Sequence, residues 1–402
     1  MNYDIAFLGG VFPDEIYDLI NQNSINNMQN AANSLQWKII KGLDDINESS
    51  TKIFTYPFIG SYPKRYKKLF ISELEFSHDS RSKDISMGYC NFSVYKQIRA
   101  FFIIKRYLKK WLLSNDGRKK ILFVYSPQKY FMRIIDYIRG KHSEVLTCLI
   151  VPDLPEYTLM DRNNFLIRAV KKNHMKALLN CVHKTDWVVC LTKQMAERLN
   201  VTRYSIVEGI ANTEVKYCPI IKKSYIAYTG SLTKKYGIME LIKSFAACRI
   251  ECELWICGDG ECKEDILKIC HQNEKIKYLG RLSKQAVENI QKDATILVNP
   301  RRNDSDYTAY SFPSKTMEYL IAGRPVICYK LDGIPREYDD YLIYVDKEYN
   351  DDLVKALENT YSMTIDKLNS IGEKNSLFVS KYKNPKEQMN RVLSEIISYY
   401  NC

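Results

Sequence analysis

Tyr310-Ser311-Phe312-Pro313-Ser314-Lys315-Thr316-Met317-Glu318-Tyr319-Leu320-Ile321-Ala322-Gly323-Arg324-Pro325-Val326-Ile327 is the most informative stretch of this 402-residue chain. Its punctuation predicts a tight turn, a helix from about Ser314 to Ala322, a stop at Gly323, and a strand after Pro325, which cannot continue a helix. A helix running straight into a β-branched apolar segment is half of the helix–strand repeat that builds parallel sheets. The free amides of the first turn form a seat for a phosphate. Lys315 stands in that turn, where a cation opposes the helix dipole unless an anion docks beside it. Glu318 shares its face. Two readings follow: a simple Lys315–Glu318 ion pair, or a nucleotide-diphosphate site in which the amides and Lys315 hold phosphate and Glu318 accepts from a ribose hydroxyl.

Working outward, the same alternation fills the second half. Residues 224–229, 253–257, 276–279, 295–298, 325–329 and 342–345 read as buried strands, with helices over 238–248, 261–271, 284–291 and 314–322. The first half repeats it, with strands over 4–8, 121–125, 145–151, 187–191 and 205–207 and helices over 128–139, 163–181 and 193–199. Residues 208–223 form a polar connector, and 384–401 a last helix set off by Pro385. The expected class is therefore α/β, with two Rossmann-like doubly wound domains facing a cleft. Residues 1–208 form the first, with helix 384–402 packing back on it, and 209–383 form the second.

Three glycine turns directly follow expected strands: Gly9-Gly10, Gly230-Ser231 and Gly258-Asp259-Gly260. None is the G-x-G-x-x-G dinucleotide fingerprint. Each is a pure turn or a place where backbone approaches a ligand closely.

Composition excludes other classes. Hydrophobic residues make up 46% and charged residues 26%, a globular balance. No apolar run approaches about 18 residues, and the start Met1-Asn2-Tyr3-Asp4 lacks a basic n-region, so the expected location is cytoplasmic. The twelve cysteines are never spaced C-x-x-C, which favours reduced, mostly buried thiols over disulfides or a metal cluster at Cys248–Cys270.

The net charge of +12 is uneven: residues 1–210 hold 31 Lys+Arg against 20 Asp+Glu, and between Tyr95 and Lys141 there are 13 bases and 2 acids. From Lys96, Ile98, Phe101, Ile104, Leu108 and Trp111 recur at helical spacing with Lys105, Arg106, Lys109 and Lys110 between them. A solvated face on a core helix and an anionic membrane surface both fit the stretch from Lys96 to Lys141. Nucleic acid does not, because no stacking module or zinc-finger spacing accompanies the charge.

The residues from Phe312 to Tyr319, Phe-Pro-Ser-Lys-x-x-Glu-Tyr, followed by Gly323-Arg324-Pro325-Val326, resemble the nucleotide-sugar domain of GT-B fold glycosyltransferases of the retaining family 4 group. Glu318 matches the second acid of the family's Glu-x7-Glu signature, and Tyr310 occupies the place of the first. The resemblance extends to Tyr228-Thr229-Gly230-Ser231-Leu232 with Lys235, or Lys234 as the weaker alternative, nearest the diphosphate-gripping base and Ser231 where an arginine is usual. Gly258-Asp259-Gly260 and Leu279-Gly280-Arg281 match loops lining the donor, and Asn299-Pro300-Arg301 a Pro-Ser loop. Gly10 matches an acceptor-side glycine turn, and Pro152-Asp153 stands where many members have His-Asp.

What this resemblance implies is a retaining hexosyltransferase acting from a nucleotide-diphosphate sugar on a lipid-linked or polysaccharide acceptor, in bacterial surface-glycan biosynthesis. The implied catalytic side chains are Lys235, Lys315, Glu318 and Asp153. The implied donor contacts are Gly10, Gly230, Ser231, Gly258, Arg281 and the run Tyr310, Ser311, Phe312, Pro313, Ser314, Lys315, with Glu318. No cofactor and no metal are expected, the D-x-D at Asp304-Ser305-Asp306 being the weaker alternative. The competing reading is an inactive nucleotide-sugar or glycan-binding subunit, suggested by Tyr310 and Pro152 where the family has an acid and a histidine.

Overall fold

Strands buried on both faces need no polar alternation, and the Lys120–Tyr125 run, buried at every position, is the clearest case. The computed structural model describes residues 2–25, 28–158, 165–212, 216–303, 306–345 and 352–400. Asp304 and Ser305, the start of the helix expected from Asn163, part of the 208–223 connector and Asn401 lie outside the described residues.

Contacts divide the chain into two units, Met1–Ile210 with Pro385–Cys402, and Ala211–Asn384. The first unit begins β1 Asp4–Gly9, α1 Asp14–Asn23, α2 Asn30–Asp44 and β2 Lys52–Thr55. Short strands β3 Phe70–Ile71, β4 Leu74–Phe76, β5 Asp84–Ser86 and β6 Tyr89–Cys90 lead to α3 Ser93–Leu113. Then come β7 Lys120–Tyr125, α4 Lys129–Lys141, β8 Leu146–Val151, α5 Pro155–Thr158 and α6 Phe165–Val182. β9 Trp187–Cys190, α7 Lys193–Arg198 and β10 Tyr204–Ile206 complete the series. Among the described residues the main sheet runs β10-β9-β8-β7-β1-β2-β5-β4, parallel except for β4 on β5. The order reverses at β1, so the ends of β1 and β7 form a switch point where ligands characteristically bind.

The second unit runs β11 Ile226–Ser231, α8 Ile238–Ala247, β12 Leu254–Asp259, α9 Lys263–Gln272 and β13 Ile276–Gly280. It continues with α10 Lys284–Asp293, β14 Ile296–Asn299, α11 Ser314–Ile321, β15 Val326–Cys328 and β16 Ile343–Tyr344. Helices α12 Asp352–Ser362 and α13 Ile365–Tyr382 close it, and α14 Pro385–Tyr400 belongs to the first unit. The sheet order is β13-β12-β11-β14-β15-β16, every described pair parallel. Its switch lies between β11 and β14.

Core packing explains the C-terminal helix. Met389, Val392, Leu393 and Ile396 of α14 are buried in the same cluster as Ile39, Ile40 and Leu43 of α2. Each such side chain contributes about 1.5–3 kcal/mol of gross hydrophobic stabilisation. At the far edge, His78 is held between Asp84 (Nδ1 to Oδ2, 2.6 Å) and Asp44 (Nε2 to Oδ2, 3.0 Å). Burial opposes its protonation, but the two carboxylates outweigh that and raise its pKa to about 9.

Helix α3 departs from the expected face. Ala100, Ile104, Leu108, Trp111 and Leu112 are buried, whereas Ile98 is 59% exposed with Val94, Tyr95 and Phe102 beside it. The helix packs through a narrower stripe than its apolar content offers. The eleven described cysteines are free thiols; Cys148, Cys181, Cys190, Cys257, Cys262 and Cys328 are buried.

Candidate functional site

In the second unit, β11 and β12 are buried along most of their length and emerge at their last residues, Gly230-Ser231 and Gly258-Asp259. The two turns lie side by side. Gly258 has a φ of +148°, and a Cβ built on it would fall 1.8 Å from the Gly230 carbonyl oxygen, so only glycine fits. The turn is tied to its neighbour by Leu232 N to Asp259 O (2.9 Å) and by the Tyr278 hydroxyl donating to Gly258 O (3.0 Å). Arg281 is exposed just past β13, whose Gly280 pairs with Cys257.

Helix α11 brings the motif to that turn. It starts at Ser314 with Pro313 at its cap position and no side chain capping it; Gly323 stops it at φ +70°. Lys315 Nζ donates to Glu318 Oε2 at 2.8 Å, with 34% and 45% of the side chains exposed. The ion pair is therefore formed, yet it is not a bystander on the surface. The Lys315 stem passes over the glycine turn, its Cε 3.6 Å from where a Gly230 side chain would begin. Burial pulls the Lys315 ammonium down, but the nearby Glu318 carboxylate and the Tyr319 phenol outweigh it, so its pKa stands above the usual value and the cation persists at neutral pH.

Two buried groups brace this pair: Gln291, which the sequence did not mark, and Tyr319, which the quoted motif contains without showing what it touches. Gln291, on α10, donates to Thr229 Oγ1 (2.8 Å) and to Glu318 Oε2 (3.4 Å). Tyr319, fully buried, accepts from Thr229 N (2.9 Å) and donates to Thr229 O (3.1 Å), fastening α11 to the end of β11. A lone glutamine in an amphipathic helix carries no signal of such a role.

Lys235 belongs to a neighbouring group. It is exposed on the turn before α8, with Nζ 4.7 Å from the Tyr307 ring centre. The buried Arg301 guanidinium lies 5.0 Å from the same ring and 5.5 Å from Tyr236, and donates to Ser311 Oγ at 3.3 Å. Arg301 lies just past β14, in the Asn299-Pro300-Arg301 loop singled out above, and that strand-end position was the available clue. Tyr310 ends the short 3-10 turn Asp306–Tyr310 and is half-buried. The Phe312 ring is buried 5.2 Å from Tyr338, so it anchors the Ser311–Ser314 turn and leaves only its backbone to the site.

Gly10 and Asp153 lie in the first unit. A Cβ on Gly10 would fall 2.2 Å from the Phe58 ring, and its amide donates to Gln36 Oε1 at 2.8 Å. This glycine serves packing, and its N–H is already taken. Asp153 follows β8; burial first, and then its charge, raise the Tyr125 phenol above the ordinary tyrosine range. Among the described residues no three His, Cys, Asp or Glu side chains converge as a metal ligand set.

Residues 223–362 match the family model described as Glycosyl transferases group 1, which spans the glycine turns, α11 and the strands around them. No curated protein matches the chain. Among solved structures, the sucrose-phosphate synthase from Thermosynechococcus elongatus aligns over 98% of this chain and 100% of its own, with TM-score 0.67 and 12% identity. An α,α-trehalose-phosphate synthase from Burkholderia vietnamiensis covers 99% of each chain, with TM-score 0.66 and 9% identity. The lipopolysaccharide outer core galactosyltransferase WaaB covers 99% of this chain and 100% of its own, with TM-score 0.60 and 14% identity. At these identities the likeness is one of fold. That fold is the GT-B glycosyltransferase fold, and the matched domain is the part of the chain that carries Lys315 and Glu318.

Proposed function

We propose that the protein is a retaining, metal-independent glycosyltransferase that moves a sugar from a nucleotide-diphosphate donor to a lipid-linked or polysaccharide acceptor in bacterial surface-glycan synthesis. The observation that carries this reading is the Lys315–Glu318 pair laid across the Gly230 turn at the uncapped start of α11. Lys315 keeps two ammonium donors beyond its bond to Glu318, enough to reach a phosphate oxygen. The first-turn amides and the helix dipole add to it. Glu318 keeps a carboxylate oxygen for a ribose hydroxyl. Lys235 and Arg301 supply further positive charge around Ser311.

Preorganised donors of this kind contribute several kcal/mol by stabilising the charge that develops on the leaving diphosphate. The acceptor oxygen bonds to the anomeric carbon on the face from which the diphosphate leaves. The hydroxyl proton passes to the departing phosphate oxygen, so no protein nucleophile is required. Asp153 is the acceptor-side carboxylate in this scheme.

Peripheral attachment at the inner face of an anionic membrane is part of the same proposal. Among the described residues no helix is long and apolar enough to cross a bilayer. Helix α3 instead presents exposed Val94, Tyr95, Ile98 and Phe102, followed along the helix by Lys105, Arg106 and Lys109, an arrangement suited to the headgroup boundary.

The test is a thermal-shift panel of nucleoside diphosphates and nucleotide sugars. A ligand at a hundredfold excess over its Kd stabilises by about 2.7 kcal/mol. The expected result is a melt raised by one base and raised further by its sugar conjugate, both lost in Lys315→Ala. A flat panel overturns the donor site.

A further inference from the structure

The donor reading leaves a cavity of about 760 Å³ in the first unit unused. It is lined by segments that follow β1, β2 and β7 and by the first turn of α3, at the ligand-side ends of the strands. Its walls are built from internal bonds: Tyr62 N donates to Asn91 O (3.0 Å), and the buried Asn91 amide donates to Gly60 O (2.9 Å). Lys96 Nζ donates to Ile59 O (2.8 Å) and Asn91 Oδ1 (3.1 Å), bracing the same loop.

The charge of the lining is one-sided. Lys64, Arg65 and Lys96 face the cavity, and no Asp or Glu does. Among the described residues none of the three cations has an ion-pair partner. Lys96 also sits in the first turn of α3, where the helix dipole opposes a cation. Burial pulls its pKa down to about 8. Three cations gathered without a counter-charge at the positive end of a 21-residue helix are a standing cost that an anion would relieve. Tyr62, Gln97 and Gln128 offer neutral hydrogen-bonding groups on the same walls, suited to sugar hydroxyls.

We propose that this cavity seats the acceptor, and that the acceptor carries a phosphate or diphosphate gripped by Lys64 and Arg65. The proposal rests on the glycosyltransferase reading for the word acceptor, while the anion site stands on the cavity itself. The phosphate belongs either to a lipid-linked sugar or to a free sugar phosphate.

The experiment is calorimetric titration of the full chain with inorganic pyrophosphate, farnesyl diphosphate and glucose at about 0.15 M salt, where exposed charges are screened beyond about 8 Å. Wild type, Lys64→Ala/Arg65→Ala and Lys315→Ala are compared. Both first-unit side chains are exposed, and alanine keeps the Arg65 Cβ that packs beside Gly60, so the double variant is expected to fold. The expected result is at least tenfold weaker binding of both anions in the double variant, with no binding of glucose. Farnesyl diphosphate binding at least tenfold more tightly than pyrophosphate assigns the lipid source; equal affinities assign the free one. Unchanged anion affinity in the double variant, absent binding in wild type, or loss confined to Lys315→Ala overturns the proposal. The nucleotide melts run on the same three proteins report the donor site separately. A flat nucleotide panel beside a tenfold anion loss would sink the donor reading and leave the anion site standing.

Discussion

The glycine turns that end β1 and β11 are chemically alike, each a glycine leaving a buried parallel strand, and the two units use them in opposite ways. At Gly230 the backbone carbonyl lies where only a glycine at 258 leaves room for it, and the charged Lys315 stem stands at ordinary contact distance, its Cε 3.6 Å from where a side chain would begin. At Gly10 the space is filled by the Phe58 ring and the amide is engaged by Gln36. A glycine after a strand reports that something approaches closely. Whether the visitor is a ring or a charge is decided by residues 26 to 85 positions away.

Lys315→Ala is expected to have the largest effect, cutting kcat by about a hundredfold while leaving the melting temperature within a few degrees, as for removal of one preorganised donor. Glu318→Ala should cost at least tenfold in turnover. Near-normal rates with either would remove the second-unit turn from the chemistry and erase its contrast with the first.

The glycines themselves sharpen the comparison. Gly10→Ala forces a methyl into the Phe58 ring and should lose about 1–3 kcal/mol by overpacking, with nucleotide affinity unchanged. Gly230→Ala meets the Tyr228 hydroxyl at 3.2 Å but leaves Lys315 Cε at an ordinary 3.6 Å, so it should melt close to wild type and lose far less nucleotide affinity than Lys315→Ala. Chemical melts and titrations of both variants would reveal a swapped pattern if the assignment of roles is reversed.

The smallest expected effect is a pH dependence in the first unit. The folded-state pKa of His78, about 9, exceeds the unfolded value near 6.5, so its contribution to stability is complete below about 6.5 and is lost as pH rises through 9. The melting temperature should decline across that window in wild type and stay flatter in His78→Gln. An identical slope in both would assign the dependence elsewhere.

Most of the second unit was legible because its determinants are local. The helix stop at Gly323, Pro325 before β15, and glycines closing β11 and β12 act over a few residues, and the structure places α11 over Ser314–Ile321. In the first unit, β2 to β6 are strands of only two to four residues with no period to read, whereas α2 does carry a helical period, Leu35, Ile39, Ile40 and Leu43, that the strand–helix alternation passes over. The pairing of Lys315 with Glu318 was visible from their spacing of three. Gln291 was not, since nothing near it in the chain marks what it touches, and for Arg301 only its place just past a strand was legible, not its contacts.

By itself the sequence determined the alternation of strand and helix, the positions at which strands end in glycine, and the start of α11 at Ser314, all consequences of backbone preference and short-range periodicity. Tertiary structure alone decided that Gly10 packs on a ring, that part of the apolar face of α3 stays exposed, and that Lys64, Arg65 and Lys96 meet in one cavity without a carboxylate. The physical reason is range. Local torsional and capping preferences act within a turn or two, whereas a cavity and its electrostatics are made by segments that only the closing of the sheet brings together.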